Sequence, residues 1–310
     1  MKDLGLFFVT GASGLLGANL VLHLRQLGQN VIALYHKHRF IAPKVESLQA
    51  DLTDRQLVNG LLQRFRPNWV IHCAAITNVD WCEEHPAAAY RVNVEASCNL
   101  AAAAARIGAG MVYISTDSVF DGRIGDYSEK NRPSPINVYA KSKLAGEKAV
   151  QEQLPSCLIV RTNIYGWNMQ EKQSLAEWMI SQLELGRFVP AFYDVIFTPV
   201  LVNDLSKILF EMITRRLMGL YHVGSSQAYS KYEFALEVAD VFDLNKELIK
   251  PISIDDSALQ ALRPKNTSLK TDKVAQVLRI PMPTVRSGLQ HLKLRRDSGW
   301  VTKLKTFGGD

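Results

Sequence analysis

Tyr139 and Lys143 stand four positions apart in the stretch Tyr139-Ala140-Lys141-Ser142-Lys143. On a helix that spacing sends a phenol and an ammonium out of the same face, one turn apart. A neighbouring cation favours the phenolate, so the tyrosine pKa is expected to fall toward neutral. Such a phenol can give a proton to a carbonyl oxygen or take one from an alcohol. The spacing alone is common on helices, where a solvated lysine beside a half-buried tyrosine is the plainer reading. The rest of the chain decides between the two.

A second group points to a phosphate ligand. Gly11, Gly14 and Gly17 form G-x-x-G-x-x-G directly after an apolar run at residues 5–10 and before the helical stripe Leu20, Leu24 and Leu27. A strand, a glycine turn and a helix start let the backbone approach a pyrophosphate, with helix amides and dipole favouring the negative charge. In NAD sites a carboxylate about 20 residues further on binds the ribose hydroxyls. Here that place holds Lys37, within His36-Lys37-His38-Arg39, and no carboxylate. A cluster of cations suits a 2′-phosphate, so NADP(H) is expected over NAD(H).

The elements that must position these groups follow from the apolar pattern. Strands are expected at 5–10, 31–35, just before Asp51, and at 69–74, 111–115 and 157–161. Helices are expected between them. One starts at a Thr53-Asp54 cap, with Leu57, Leu61, Leu62 and Phe65 inward and Pro67 ending it. One long helix is expected from Glu83 to Ile107, and one carries Tyr139 and Lys143 on to Gln153. Alternating strands and helices of this length predict a Rossmann-like doubly wound parallel sheet. After residue 162 the rhythm loosens, with helices expected at 173–185, 203–214, 231–242 and 284–292. The division read from this pattern is a dinucleotide-binding domain at 1–162 with returning elements near 195–225. Residues 163–310 then form mostly a smaller, interleaved C-terminal substrate-binding lobe.

Composition sets outer limits. The chain has 310 residues, 47% hydrophobic and 21% charged, as in ordinary globular proteins. No apolar run reaches membrane-spanning length, and Leu4–Val9 runs into glycines, so it reads as a strand and not a signal peptide. Cys73, Cys82, Cys98 and Cys157 show no metal-ligand or C-x-x-C spacing, so reduced thiols and a cytoplasmic location are expected. His23, His85, His222 and His291 are scattered. Asp80, Glu83 and Glu84 read as a solvated helix start, and no metal site is expected. The formal charge of +6 is spread along the chain apart from a basic tail, Lys293–Lys305. No nucleic-acid motif accompanies it, and phosphate-bearing small molecules account for it as well.

The motifs together make the chain resemble an extended short-chain dehydrogenase/reductase, most closely the dTDP-4-dehydrorhamnose reductase family. The resemblance rests on Thr10-Gly11-Ala12-Ser13-Gly14-Leu15-Leu16-Gly17, Asp51-Leu52-Thr53-Asp54, His72-Cys73-Ala74-Ala75, Thr77-Asn78-Val79-Asp80 and Asn93-Val94. It continues through Ser115-Thr116-Asp117-Ser118-Val119-Phe120-Asp121-Gly122, Tyr139 and Lys143 with Gly146-Glu147, Arg161-Thr162, and Arg263-Pro264 with Leu269. It covers essentially the whole chain and is densest over 8–166.

The resemblance implies a catalytic set of Thr116, Tyr139 and Lys143, with Thr116 where other short-chain reductases carry serine. It implies cofactor contacts at Gly11, Ser13, Gly14, Leu15, Leu16 and Gly17 around the pyrophosphate, and at His36, Lys37 and Arg39 around the ribose phosphate. Asp51 and Leu52 would lie by the adenine. Ala74, Ala75, Thr77 and Asn93 would line the cofactor path, and Lys143 would reach the nicotinamide ribose. Asn93 reads equally as a buried, hydrogen-bonded side chain. Thr77, Val79, Asp117, Val119, Phe120 and Arg263 would border the substrate, with core packing as the competing reading for the two valines and Phe120. The implied activity is NADPH-dependent reduction of a 4-keto group on a nucleotide-linked deoxysugar. The expected partner is that substrate, with no nucleic acid or membrane, and a homodimer is left open. A sugar-nucleotide epimerase or dehydratase on the same fold, and a non-catalytic NADP-binding subunit resembling the β subunit of methionine adenosyltransferase, are the alternatives. Ser118, Trp81 and Cys82 depart from the family pattern on the sugar side, which bears on the sugar and not on the reaction type.

Overall fold

The computed structural model describes residues 3–308. Its first half alternates strand and helix: β1 (Leu6–Thr10), α1 (Leu15–Gln26), β2 (Asn30–Tyr35), β3 (Glu46–Gln49), α2 (Arg55–Phe65), β4 (Trp69–His72), α3 (Val79–Glu84), α4 (Pro86–Tyr90), a π-helical turn at Arg91–Glu95, α5 (Ala96–Ile107), β5 (Gly110–Thr116), α6 (Val138–Gln153) and β6 (Leu158–Tyr165). The second half holds α7 (Leu175–Glu184), β7 (Val189–Phe192), β8 (Ile196–Phe197), β9 (Pro199–Leu201), α8 (Val202–Thr214), β10 (Gly219–His222), β11 (Tyr229–Ser230), α9 (Lys231–Val241), β12 (Ile249–Ile252), α10 (Asp272–Leu278), α11 (Val285–Asp297) and α12 (Trp300–Lys305).

The main sheet runs β3-β2-β1-β4-β5-β6-β10, and every pair in it is parallel. Strand β6 is long enough to serve two neighbours. Leu158–Arg161 pair with β10, and Asn163–Tyr165 pair with β9. The strand order reverses direction between β1 and β4, which opens a crevice at the carboxyl ends of the strands. This is the doubly wound, Rossmann-like sheet.

The uninterrupted apolar run Leu6–Val9 reflects cover on both faces. Phe7 and Val9 pack into one core cluster with Leu20, Leu24, Leu205 and Leu209 of α1 and α8. Phe8 points the other way, into a cluster with Val58, Leu62, Leu100 and Met111. Beside the sheet, β7 pairs with β12 and β8 with β11 as two small two-stranded ribbons.

Three expectations are corrected. The single helix over Glu83–Ile107 is instead three segments, because Pro86 cannot continue a helix hydrogen-bond ladder and the π turn at Arg91–Glu95 adds a bulge. Leu57 does not face inward; it is exposed, and Val58 takes the buried position on α2. The helix expected to end near 292 continues to Asp297. Two cations of the basic tail are paired, Lys293 with Asp243 and Arg296 with Glu184.

Candidate active site

The glycine turn sits at the crevice, between β1 and α1. Gly11 has φ +65°, and a Cβ there would lie 2.7 Å from the Ala74 nitrogen. A Cβ on Gly17 would lie 2.1 Å from the Gly11 carbonyl oxygen. Glycine is therefore required for the turn to close against the loop after β4. Helices α2, α6, α7, α9 and α11 each begin under a side-chain cap, from Asp54, Asn137, Ser174, Ser230 and Thr284. Helix α1 has Gly14 at that position and no side-chain cap. An uncapped helix start behind a glycine turn is a fit for the pyrophosphate of a dinucleotide. Leu16, Gly17 and Ser13 are buried there, and Leu15 is half-buried.

His36, Lys37 and Arg39 are exposed directly after β2. Phe40 anchors the end of this basic loop, fully buried with its ring 6.5 Å from that of Phe307. Asp51 sits in a local turn, its carboxylate accepting from the Thr53 hydroxyl at 2.7 Å and the Thr53 amide at 2.9 Å. Those bonds, the hydroxyl first, hold its pKa below the usual carboxylate value. Asn99 fixes the carbonyls of Leu52 and Thr53. Ala74 and Ala75 are half-buried, and Ala74 donates its amide to the Thr10 hydroxyl. Thr77 is exposed and accepts from the Lys172 ammonium at 3.2 Å.

The three residues expected to carry chemistry come together from two elements. Thr116 ends β5, while Tyr139 and Lys143 occupy successive turns of α6. The first turn of α6 is held by Asn137, whose side chain accepts from the Ala140 amide at 2.8 Å and donates to the Leu262 carbonyl. Glu83 accepts the Val138 amide at 2.7 Å. Gly146 lets α6 press close, since a Cβ there would lie 2.4 Å from the Asn93 carbonyl oxygen.

Lys143 is buried, with its ammonium donating to the Ile114 carbonyl at 2.8 Å and lying 4.2 Å from the Tyr113 ring centroid. Burial lowers its pKa to about 8, with Glu147 and then Cys73 pulling the other way. Tyr139 corrects the expectation made for it. Its pKa is raised, because burial outweighs the hydrogen bond with Thr116, and Asp117 and Cys82 push it further up. Lys143 rests its ammonium on Ile114 and Tyr113, and burial holds the phenol protonated instead of tuned toward neutral.

Several expected ligand contacts turn inward. Asp117 is buried, and its oxygens accept from Thr116 at 3.1 Å, Ser118 at 3.2 Å, Asn163 at 2.9 Å and Thr267 at 2.8 Å. It ties β5, β6 and the late loop together. Val119 and Phe120 are wholly buried in a small cluster with Tyr127 and Leu269, so the core-packing reading holds for both. Val79 is half-buried at the start of α3. Arg263 pairs with Asp80 at 2.9 Å and donates to the Ala261 carbonyl, which fastens the late loop to α3. Asn93 lies in the π turn, accepting from the Ile76 amide and donating to the Ile76 carbonyl and the Ser142 hydroxyl. Its side chain is fully committed to the frame.

Sequence reading missed the supports. Asn163, Thr267, Asn137 and Glu83 carried no motif signal beyond the N-cap character of an Asn one residue before a helix. Residues 167–174 also bridge the crevice: Gln170 donates to the Ser13 carbonyl and Lys172 to Thr77.

Comparison with known proteins bears on the family and the fold. The family described as the RmlD substrate binding domain matches residues 6–296. The chain belongs to that family. It is 35% identical over 292 residues to the probable low-salt glycan biosynthesis reductase Agl14 of Haloferax volcanii, covering 92% of this chain and 96% of that protein. It is also 34% identical over 274 residues to methionine adenosyltransferase 2 subunit beta of Rattus norvegicus, covering 86% of this chain and 80% of that one. The crystal structure of dTDP-4-dehydrorhamnose reductase from Bacillus anthracis, in complex with NADP, superposes with a TM-score of 0.84 at 30% identity, covering 95% of this chain and all of that one. Membership in this family, with reductases among the relatives, supports an oxidoreductase acting on sugar nucleotides. Among the described residues no helix is long and apolar enough to cross a membrane.

Proposed function

We propose that the chain is an NADPH-dependent reductase acting on a 4-keto group of a nucleotide-linked deoxysugar, working in the cytoplasm. The observation that carries this reading is the Thr116–Tyr139–Lys143 arrangement at the carboxyl end of β5. When bound, the reduced nicotinamide supplies hydride to the carbonyl carbon. Tyr139, kept protonated by burial, donates its proton to the developing alkoxide. Thr116, which ends β5 near that phenol, would hold the carbonyl oxygen in line by turning its hydroxyl proton from Asp117 to the substrate. Lys143, docked on Ile114, presents its remaining N–H donors to the ribose hydroxyls. Gly11, Gly14 and Gly17 would hold the pyrophosphate, and Lys37 and Arg39 the 2′-phosphate.

Asp117 bears on the choice between reductase and dehydratase. A dehydratase would use a carboxylate next to the triad threonine, and here four donors occupy it. A second reading has support from the likeness to methionine adenosyltransferase 2 subunit beta. In that reading the chain binds the dinucleotide and acts through a partner. NADPH oxidation with nucleotide-linked 4-keto sugars separates the two, because turnover on any of them requires the reductase. Tight NADPH binding without turnover on any member of the panel would favour the subunit.

A further inference from the structure

The second half of the chain holds cations of two kinds. Arg263 is neutralised by Asp80, and Lys265 by Asp255 and Asp194. Lys231 is different. It opens α9, half-buried, with its ammonium 3.4 Å from the centroid of the Phe197 ring. Among the described residues no carboxylate pairs with this ammonium and no acceptor bonds it. The helix start beside it is already satisfied, since Ser230 and Glu233 form a reciprocal capping box. Its amide is spent on the Val195 carbonyl.

The charge that balances Lys231 acts at a distance. Asp117 draws its pKa up, while burial lowers it to about 8. The same Asp117 field reaches Tyr139. Thr267, which donates its hydroxyl to Asp117, donates its amide to Ile196, the neighbour of the Phe197 on which Lys231 rests, and the oxygens of that carboxylate are filled by Thr116, Ser118, Asn163 and Thr267. A half-buried ammonium resting on an aromatic face without a paired anion is costly to keep. An anionic ligand atom would remove that cost.

We propose that Lys231 is an anion contact for the substrate, taking a phosphoryl oxygen of its nucleoside diphosphate. This rests on the function proposed above, in which the substrate carries such a group beyond the sugar ring from Tyr139. Arg263, the residue that the motif pattern offered for the diphosphate, has its guanidinium committed to Asp80 and Ala261.

The test is calorimetric titration of the NADP-loaded full chain with dTDP, UDP and GDP, with the matching nucleosides as controls. Lys231→Met should weaken the diphosphate that binds by about tenfold or more, as expected for loss of a charge-assisted hydrogen bond. Lys231→Arg should restore most of it, and binding of the nucleoside and of NADP should be unchanged in both. Diphosphate binding by Lys231→Met equal to wild type overturns the proposal and leaves the reductase reading standing. If wild type binds none of the three diphosphates, the nucleotide-sugar reading falls and takes the proposal with it.

Discussion

Glu147 and Arg161 form a two-pronged ion pair inside the core: Arg161 Nε donates to Oε1 at 2.9 Å and Nη2 to Oε2 at 2.7 Å. Both side chains are more than nine-tenths buried. Glu147 lies one turn beyond Lys143 on α6, and it also accepts the hydroxyl of Ser115, the residue before Thr116. Arg161 sits opposite Ser115 in the register of β5 and β6. The pair thus fastens the strand end that bears Thr116 to the helix that bears Tyr139 and Lys143.

Removing one partner should be expensive. Glu147→Gln leaves a buried guanidinium without its anion, a loss of about 3–5 kcal/mol. Replacing both residues with apolar ones of similar volume should cost much less. Urea denaturation of the two single variants and the double variant checks this, and strict additivity would contradict it.

The rate of keto reduction should depend on pH through Lys143. Its ammonium is charged below its pKa of about 8 and neutral above it. Tyr139 stays protonated across this range, because its pKa is raised. The rate should therefore be flat up to about pH 8 and fall about tenfold per unit above it, as for loss of a single proton. Glu147 raises the lysine pKa, so Glu147→Gln should move that fall to lower pH. A pH–rate profile at saturating NADPH reads both effects.

Much of this was legible beforehand, and the failures have physical causes. The glycine turn, β5 and α6 were readable because local rules decide them: apolar period, the four-residue spacing of Tyr139 and Lys143, and a turn that only glycine can make. The phenol was misread because spacing on a helix gives proximity but not burial, and burial decides its pKa. Asp117 turns inward, and the open choice for Val119 and Phe120 falls to core packing, for a related reason. A strand end that carries a catalytic threonine also has to be locked into the core, and a motif does not say which residue does which. Lys231 carried no motif, and its standing depends on Phe197 and Asp117, which tertiary structure alone brings near.

The basic loop gives a cofactor prediction. Lys37→Ala combined with Arg39→Ala should weaken NADPH binding by about tenfold or more and leave NADH binding nearly unchanged, since charge-assisted bonds to the 2′-phosphate are lost. Fluorescence titration with both cofactors measures this. Equal effects on the two would contradict a phosphate-binding role.

The central claim is tested most directly by NADPH consumption with a panel of nucleotide-linked 4-keto sugars, wild type against Tyr139→Phe. The expected result is turnover of at least one sugar by wild type. Tyr139→Phe should be slower by about 10²–10⁴-fold, the range for loss of a positioned general acid, with NADPH binding intact. Tight NADPH binding by wild type with no turnover of any sugar, or a Tyr139→Phe variant as fast as wild type, would contradict it.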